Sequence, residues 1–213
     1  CIRDRFTMSL LFCVVLFYIL GDLRCRSGRH YTRTGEISIG IYRELKGYIF
    51  MKVIIHDLDT GFEKLLRSKC DQLICADGKY AGCQGCFSCW TKHPAECIIH
   101  DSLKEISRLV GRADELVIIT QNCYGTYSPT VKAILDRSIG LSTPLSTYRE
   151  KEMHHTLRYG THDEIKIYAY GRFLQNEKSS FELIARRNAL NYGYKKSQVI
   201  FADSPEKVME SIL

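Results

Sequence analysis

Between Ala81 and Cys97 the chain reads AGCQGCFSCWTKHPAEC, with cysteines at 83, 86, 89 and 97 and the only tryptophan at 90. Thiolates are soft ligands. The spacing C-x2-C-x2-C, with a fourth cysteine after seven more residues, is a compact pattern that offers one sulfur to each iron of a [4Fe–4S] cluster. Zinc also takes four cysteines, although structural zinc sites usually draw on two separated C-x2-C pairs. A reduced, tightly turned loop without metal has the same composition. Cys83, Cys86, Cys89 and Cys97 are therefore candidate ligands, and cluster, zinc and bare loop stay open on spacing alone.

The elements that must position this loop alternate. MKVIIHDL (51–58) reads as a strand, and Phe62, Leu65 and Leu66 give 60–69 a helical face. DQLICADG (71–78) reads as a second strand ahead of the cysteines. DSLKEISRLVGRA predicts a helix over 101–113, with Ser102 and Glu105 as a capping box. ELVIITQN (115–122) is a buried strand. SPTVKAILDRSIG (128–140) predicts a helix opened by Ser128-Pro129 and stopped at Gly140. Residues 141–163 read as a long, polar, irregular loop. A strand (164–171), a helix closed by Gly193 (178–193), a strand (197–203) and a terminal helix (204–213) complete the series. Five strands joined by crossovers imply parallel βαβ units around one sheet. Met153-His154-His155 is no metal site on this reading, because adjacent strand residues face opposite ways.

The 213 residues and 45% hydrophobic content suit one domain with a sizeable core. The net charge of +6 is uneven: residues 1–50 hold eight Lys/Arg and four Asp/Glu, so no concentrated basic face remains to bind nucleic acid. Ten cysteines, four of them clustered, do not spread as a disulfide scaffold does, and a reducing cytoplasm fits them. The apolar run Met8 to Leu20 after Arg3 and Arg5 has the outline of a signal peptide but is short for a membrane span. CIRDR resembles translated adapter sequence. Residues 1–50 are read as a non-native or disordered extension, the domain as 51–213 starting at Met51, and no membrane association is expected.

CQGCFSCWTKHPAECIIHD together with NCYGTYSPTVKAILDRSI resembles the flavodoxin-like flavoproteins of the NADPH-dependent FMN reductase group, including the iron–sulfur flavoproteins. Lys132 and Asp136-Arg137 match the end of that group's helix. The resemblance covers most of 51–213. It implies an α/β, three-layer, doubly wound, five-stranded parallel sheet in the flavodoxin-like order 2-1-3-4-5, with ligands at the carboxyl ends of the strands. It implies FMN, NAD(P)H as electron donor, a [4Fe–4S] cluster on the cysteine loop, a small-molecule or protein acceptor, and a homodimer or homotetramer; the long loop 141–163 is the candidate for the interface. Flavin contacts then fall on Thr60 and Gly61 after strand one. After strand three they fall on Asn122, Cys123, Tyr124, Gly125, Thr126 and Tyr127, with Tyr124 or Tyr127 stacking on the ring. Gly171 and Arg172 follow strand four. Phe87 and Trp90 are expected to cover the cysteine loop and to line the flavin pocket. Chemistry belongs to the flavin, so no catalytic side chain is assigned.

One turn departs from the group. Its Ser/Thr/Asn-rich phosphate loop is here HDLDTGF, with Asp57 and Asp59 beside the helix N-terminus that should attract an anion. Two carboxylates repel a phosphate and compete for the same N–H groups. The sequence thus supports two functions of different class: a flavin-dependent oxidoreductase, or a non-enzymatic module of the same fold that binds a metal or a partner.

Overall fold

A computed structural model describes residues 50–212. The reading of residues 1–50 as an extension lies almost wholly outside them. The strands are β1 (Lys52–His56), β2 (Gln72–Cys75), β3 (Glu115–Gln121), β4 (Ser142–Arg149), β5 (Glu152–Leu157), β6 (His162–Tyr170) and β7 (Tyr194–Ala202). The helices are α1 (Thr60–Arg67), α2 (Ser88–Thr91), α3 (Ile106–Arg112), α4 (Pro129–Arg137), α5 (Glu177–Tyr192) and α6 (Pro205–Ile212).

Five strands form one sheet in the order β2-β1-β3-β6-β7, every pair parallel. With β4 and β5 set aside as a separate hairpin, this is the expected flavodoxin-like order. The central strands are apolar on both faces because both faces are covered. Val53, Ile55, Leu116, Ile118, Ile165 and Ile167 pack against α3, α4 and α5 through Ile106, Val110, Val131, Ile134, Phe181 and Ala185. Ile54, Val117 and Ile119 pack against α1 and α6 through Leu66, Val208 and Met209. The three layers follow from this division.

Helix ends obey local chemistry where no tertiary partner competes. Ser128 Oγ accepts the Val131 N–H and Pro129 opens α4. Gly193 closes α5 in the left-handed region, at φ 85°. The predicted capping box of 101–113 does not form. Residues 102–105 are a turn and α3 begins at Ile106. The Asp101 carboxylate takes the Leu103 N–H and the Arg137 guanidinium, while Glu105 pairs with Arg108 at 2.7 Å. Gly140 is also not a helix stop. It lies in a 3₁₀ turn after α4, where a Cβ would stand 3.0 Å from Cys89 Cβ and 2.8 Å from Ser107 Oγ. Its role is close approach to the cysteine loop.

The reading of 141–163 as an irregular loop is corrected. Most of it is the antiparallel hairpin β4–β5, with Tyr148 opposite Met153 and Arg149 opposite Glu152. The two turn residues, Glu150 and Lys151, both have positive φ (48° and 65°). That is the conformation favoured by hairpin twist, usually written with Asn or Gly. Glu-Lys carries no such signal, which is why the sequence hid the turn. The hairpin leans on the cysteine loop: Arg158 Nη2 donates to Trp90 O, and the His155 and Trp90 rings lie 4.5 Å apart. Among the described residues no helix is long and apolar enough to cross a membrane.

Candidate functional site

The cysteine loop leaves β2 at the carboxyl edge of the sheet and is curled by left-handed residues at Gly85, Phe87 and Ala95. The result is a cavity of about 80 Å³ lined by Cys83, Cys86, Cys89 and Cys97, closed by Phe87, Ile98, Ile99 and Ile139 and backed by Arg137. Cys89 is buried, Cys97 half-buried, and Cys83 and Cys86 exposed, all as free thiols. Burial, then the neighbouring Cys97, Cys83 and Cys86, push the Cys89 thiol up. Phe87 and Trp90 cover the loop as expected, with ring centroids 4.9 Å apart and Trp90 Nε1 donating to Ile139 O.

Arg137 is the feature that sequence reading undervalued. Expected to be an ion pair or a helix-end contact, it forms an ion pair and is among the largest fully buried side chains of the described residues. Its guanidinium meets Asp101 in a two-pronged pair at 2.8 and 2.9 Å and donates to Ala81 O at 2.7 Å, where the cysteine loop begins. The Asp101 carboxylate also accepts the Ala81 N–H at 3.0 Å. Arg137 Nε is buried without a hydrogen-bond partner, and Cys97 lies against the same guanidinium. Asp136, its sequence neighbour, takes Lys132 instead. The signal available in the sequence was an arginine in the otherwise apolar face of α4.

The four sulfurs do not stand as a single zinc ion would hold them. Four sulfurs around one zinc stand about 3.8 Å apart, from Zn–S bonds of about 2.3 Å in a tetrahedron. Among the described residues no three of these cysteines bring their sulfurs within 4.8 Å of one another. Sulfurs on separate irons are held further apart, around a cavity. The shell is apolar, and the guanidinium is a fixed positive charge beside the Cys97 thiol.

A second concavity, about 520 Å³, opens at the carboxyl ends of β3 and β6. That lies within the roughly 300–1,000 Å³ of small-molecule sites. Asn122, Cys123, Tyr124 and Arg172 line it with Gln121, Ser128, Pro129, Leu174 and Glu177. Tyr124 and Gly125 form a tight turn with φ of 54° and 79°, closed by Cys123 and Thr126 and held by Asn122 Oδ1 accepting the Gly125 N–H. The turn throws the Tyr124 ring into solvent, 90% exposed, at the lip of the cleft. Thr60, Gly61, Gly125, Thr126, Tyr127 and Gly171 do not line the cleft. Tyr127 as a ring-stacking residue is corrected: it is 1% exposed, edge-on to Phe181 in the core. Gly125 gives close approach to the Glu177 backbone, where a Cβ would meet the carbonyl at 3.1 Å. Phe87 and Trp90 are not part of the cleft wall either.

The β1–α1 turn does not fit the FMN phosphate. Asp57 accepts the Gln121 N–H at 2.9 Å and the Tyr170 hydroxyl at 3.0 Å, tying the ends of β1, β3 and β6 with the chain's own anion. Burial and then Asp57 push the Tyr170 phenol up, so it stays a donor. Asp59, at the N-cap of α1, makes no side-chain cap. The anion-attracting corner already holds two carboxylates.

No family model matches the chain, and no curated protein matches its sequence. Among solved structures it is similar to the flavodiiron core Flv1 from Synechocystis sp. PCC6803, at 8% identity and TM-score 0.40, over 85% of this chain and 38% of that one. It is similar to an FMN-dependent NADH-azoreductase from Bacillus anthracis, solved with FMN, at 13% identity and TM-score 0.46, over 77% of this chain and 94% of that one. An NAD(P)H:quinone oxidoreductase from Methanothermobacter marburgensis matches at 13% identity and TM-score 0.45, over 74% of this chain and 89% of that one. The chain thus spans well under half the length of the first of these. The fold itself rests on the strand order.

Two outcomes follow. Arg137 holds Asp101 down to about 2, against about 3.9 for a free aspartate. A depressed carboxylate contributes stability that is complete above about pH 4 and lost as pH falls toward 2. Asp101→Asn should therefore cost about 3–5 kcal/mol near pH 7, by stranding a buried guanidinium. The gap from wild type in denaturant titrations should narrow toward pH 2. In calorimetric titrations, FMN should bind no more tightly than riboflavin. A tenfold preference for FMN would place a phosphate site on this chain.

Proposed function

We propose that the chain is an electron-transfer oxidoreductase of flavodoxin-like fold. In this reading a [4Fe–4S] cluster is held by Cys83, Cys86, Cys89 and Cys97, the cleft seats a flavin ring, and NAD(P)H or a reduced protein is the donor. The observation that carries it is the convergence of all four cysteines on one small apolar cavity backed by a buried guanidinium. When bound, such a cluster supplies reversible one-electron transfer.

The chain's own residues set the conditions. Phe87, Ile98, Ile99 and Ile139 give the cavity an apolar wall. Arg137 offsets the negative charge of the thiolates and fixes the start of the loop through Ala81 O. Net charge, hydrogen bonding and burial are the means by which a protein tunes a cluster. Helix α4 links the two concavities: Ser128 and Pro129 at its start border the cleft, and Arg137 at its end borders the cavity. Eight steps of helix rise separate those ends by about 12 Å. The flavin half of the reading rests on the cleft alone, which offers volume for a ring without a phosphate cradle.

A second reading has its own support. Asp57 occupies the anion corner and ties three strands, as a chain that has given up the cofactor and kept the fold for metal or partner binding would do.

Anaerobic purification of the full chain separates the two. The redox reading expects a brown protein with about four irons per chain, and loss of both in Cys86→Ser. A colourless product that stays so after incubation with iron and sulfide, and with FMN, overturns it. The same reading includes a homodimer or homotetramer formed through the β4–β5 hairpin. Tyr148 and Met153 face one another there and are 76% and 69% exposed. Tyr148→Asp with Met153→Asp should shift the chain to monomer in light scattering while circular dichroism stays unchanged.

A further inference from the structure

On the sheet face covered by α1 and α6, three side chains that the redox reading leaves unused converge. His56 closes β1 and Cys75 closes β2. They are register partners in that parallel pair, so their side chains leave the same face. Glu63 comes from the first turn of α1. One donor atom of each residue lies within 4.8 Å of the other two. His56 is fully buried, and neither ring nitrogen has a hydrogen-bond partner; the Leu58 backbone approaches without completing one. Buried polar side chains are almost always partnered. A buried, unpartnered imidazole beside a thiol and a carboxylate presents three donors that one ligand could join. Asp57 does not fill it, because its carboxylate is engaged with Gln121 and Tyr170. Arg67 reaches Glu63 only at 3.8 Å, with its own side chain 68% exposed.

We propose that His56, Glu63 and Cys75 form a binding site for one zinc-class divalent cation, separate from the cysteine loop. One nitrogen, one sulfur and one oxygen donor suit a borderline-soft tetrahedral ion, with the fourth position left to water. Binding breaks the Cys75 S–H bond, forms a metal–sulfur bond and passes the proton to solvent. One thiolate, one carboxylate and a neutral imidazole then balance a 2+ charge. Tetrahedral coordination brings the donors to about 3.5 Å from one another, against the 4.8 Å limit within which they already lie. The ion would clamp the first turn of α1 to the ends of β1 and β2, the corner where the chain carries carboxylates in place of a phosphate grip.

The test uses the full chain carrying Cys83→Ser and Cys86→Ser, two exposed positions whose loss disables the loop as a metal site. The protein is stripped with chelator, equilibrated with zinc alone, desalted and assayed for metal. About one zinc per chain should remain. Adding Cys75→Ser or Glu63→Gln should weaken zinc binding by more than about tenfold. Cobalt in place of zinc should give a thiolate charge-transfer band that Cys75→Ser abolishes. If Cys75→Ser fails to fold by circular dichroism, Glu63→Gln, on the helix surface, carries the test. Retention of no zinc, or of zinc that neither substitution weakens, overturns the proposal. Iron on the cysteine loop is read separately in the unsubstituted chain, so the two readings fail independently.

Discussion

Much of the molecule's functional end depends on one buried ion pair. Arg137 stands at the end of α4 with its charge out of water, an arrangement that is costly unless the partner geometry is good. Asp101 meets it with two oxygens, and both partners then grip the backbone of Ala81 from opposite sides, one at the carbonyl and one at the N–H. The cysteine loop is thereby anchored where it starts. The Asp101 carboxylate also takes the Leu103 N–H, and the 102–105 turn that precedes α3 holds Cys97 through its N–H to Lys104 O. A single electrostatic requirement fixes a loop origin and one wall of the cavity.

The β1–α1 corner of the sheet shows the same economy with the sign reversed. A parallel α/β sheet presents helix N-termini and free backbone donors at its carboxyl edge, a setting that attracts anions. Here Asp57 supplies the anion from within and joins β1, β3 and β6 through Gln121 and Tyr170. Immediately behind it His56 is buried without partners, facing Cys75 and Glu63. The corner is organised around side chains of the protein itself, and the cleft opens beside the loops after β3 and β6.

Local pattern carried the strands and most helices because their signals are local: β-branched runs for strands buried on both faces, Ser128-Pro129 for the start of α4, Gly193 for the end of α5. It failed on β4 and β5 for a physical reason. That hairpin covers little core, so it shows weak alternation, and its Glu150-Lys151 turn takes positive φ without glycine or asparagine. The site residues divide in the same way. Following strand ends led to Asn122, Cys123, Tyr124 and Arg172, which line the cleft, and to Thr60, Gly61, Gly125, Thr126 and Gly171, which do not. Tyr127 was misjudged because a tyrosine three residues further along a tight turn points back into the core.

By itself the sequence determined the five parallel strands, their crossovers and the cysteine spacing, because periodicity and ligand spacing are properties of neighbours along the chain. Only the tertiary structure decided that Arg137 meets Asp101, that Asp57 closes the anion corner, and that Glu63 and Cys75 meet the buried His56. Those are contacts between residues brought together by the sheet, and their energetics depend on burial, which no stretch of sequence displays on its own.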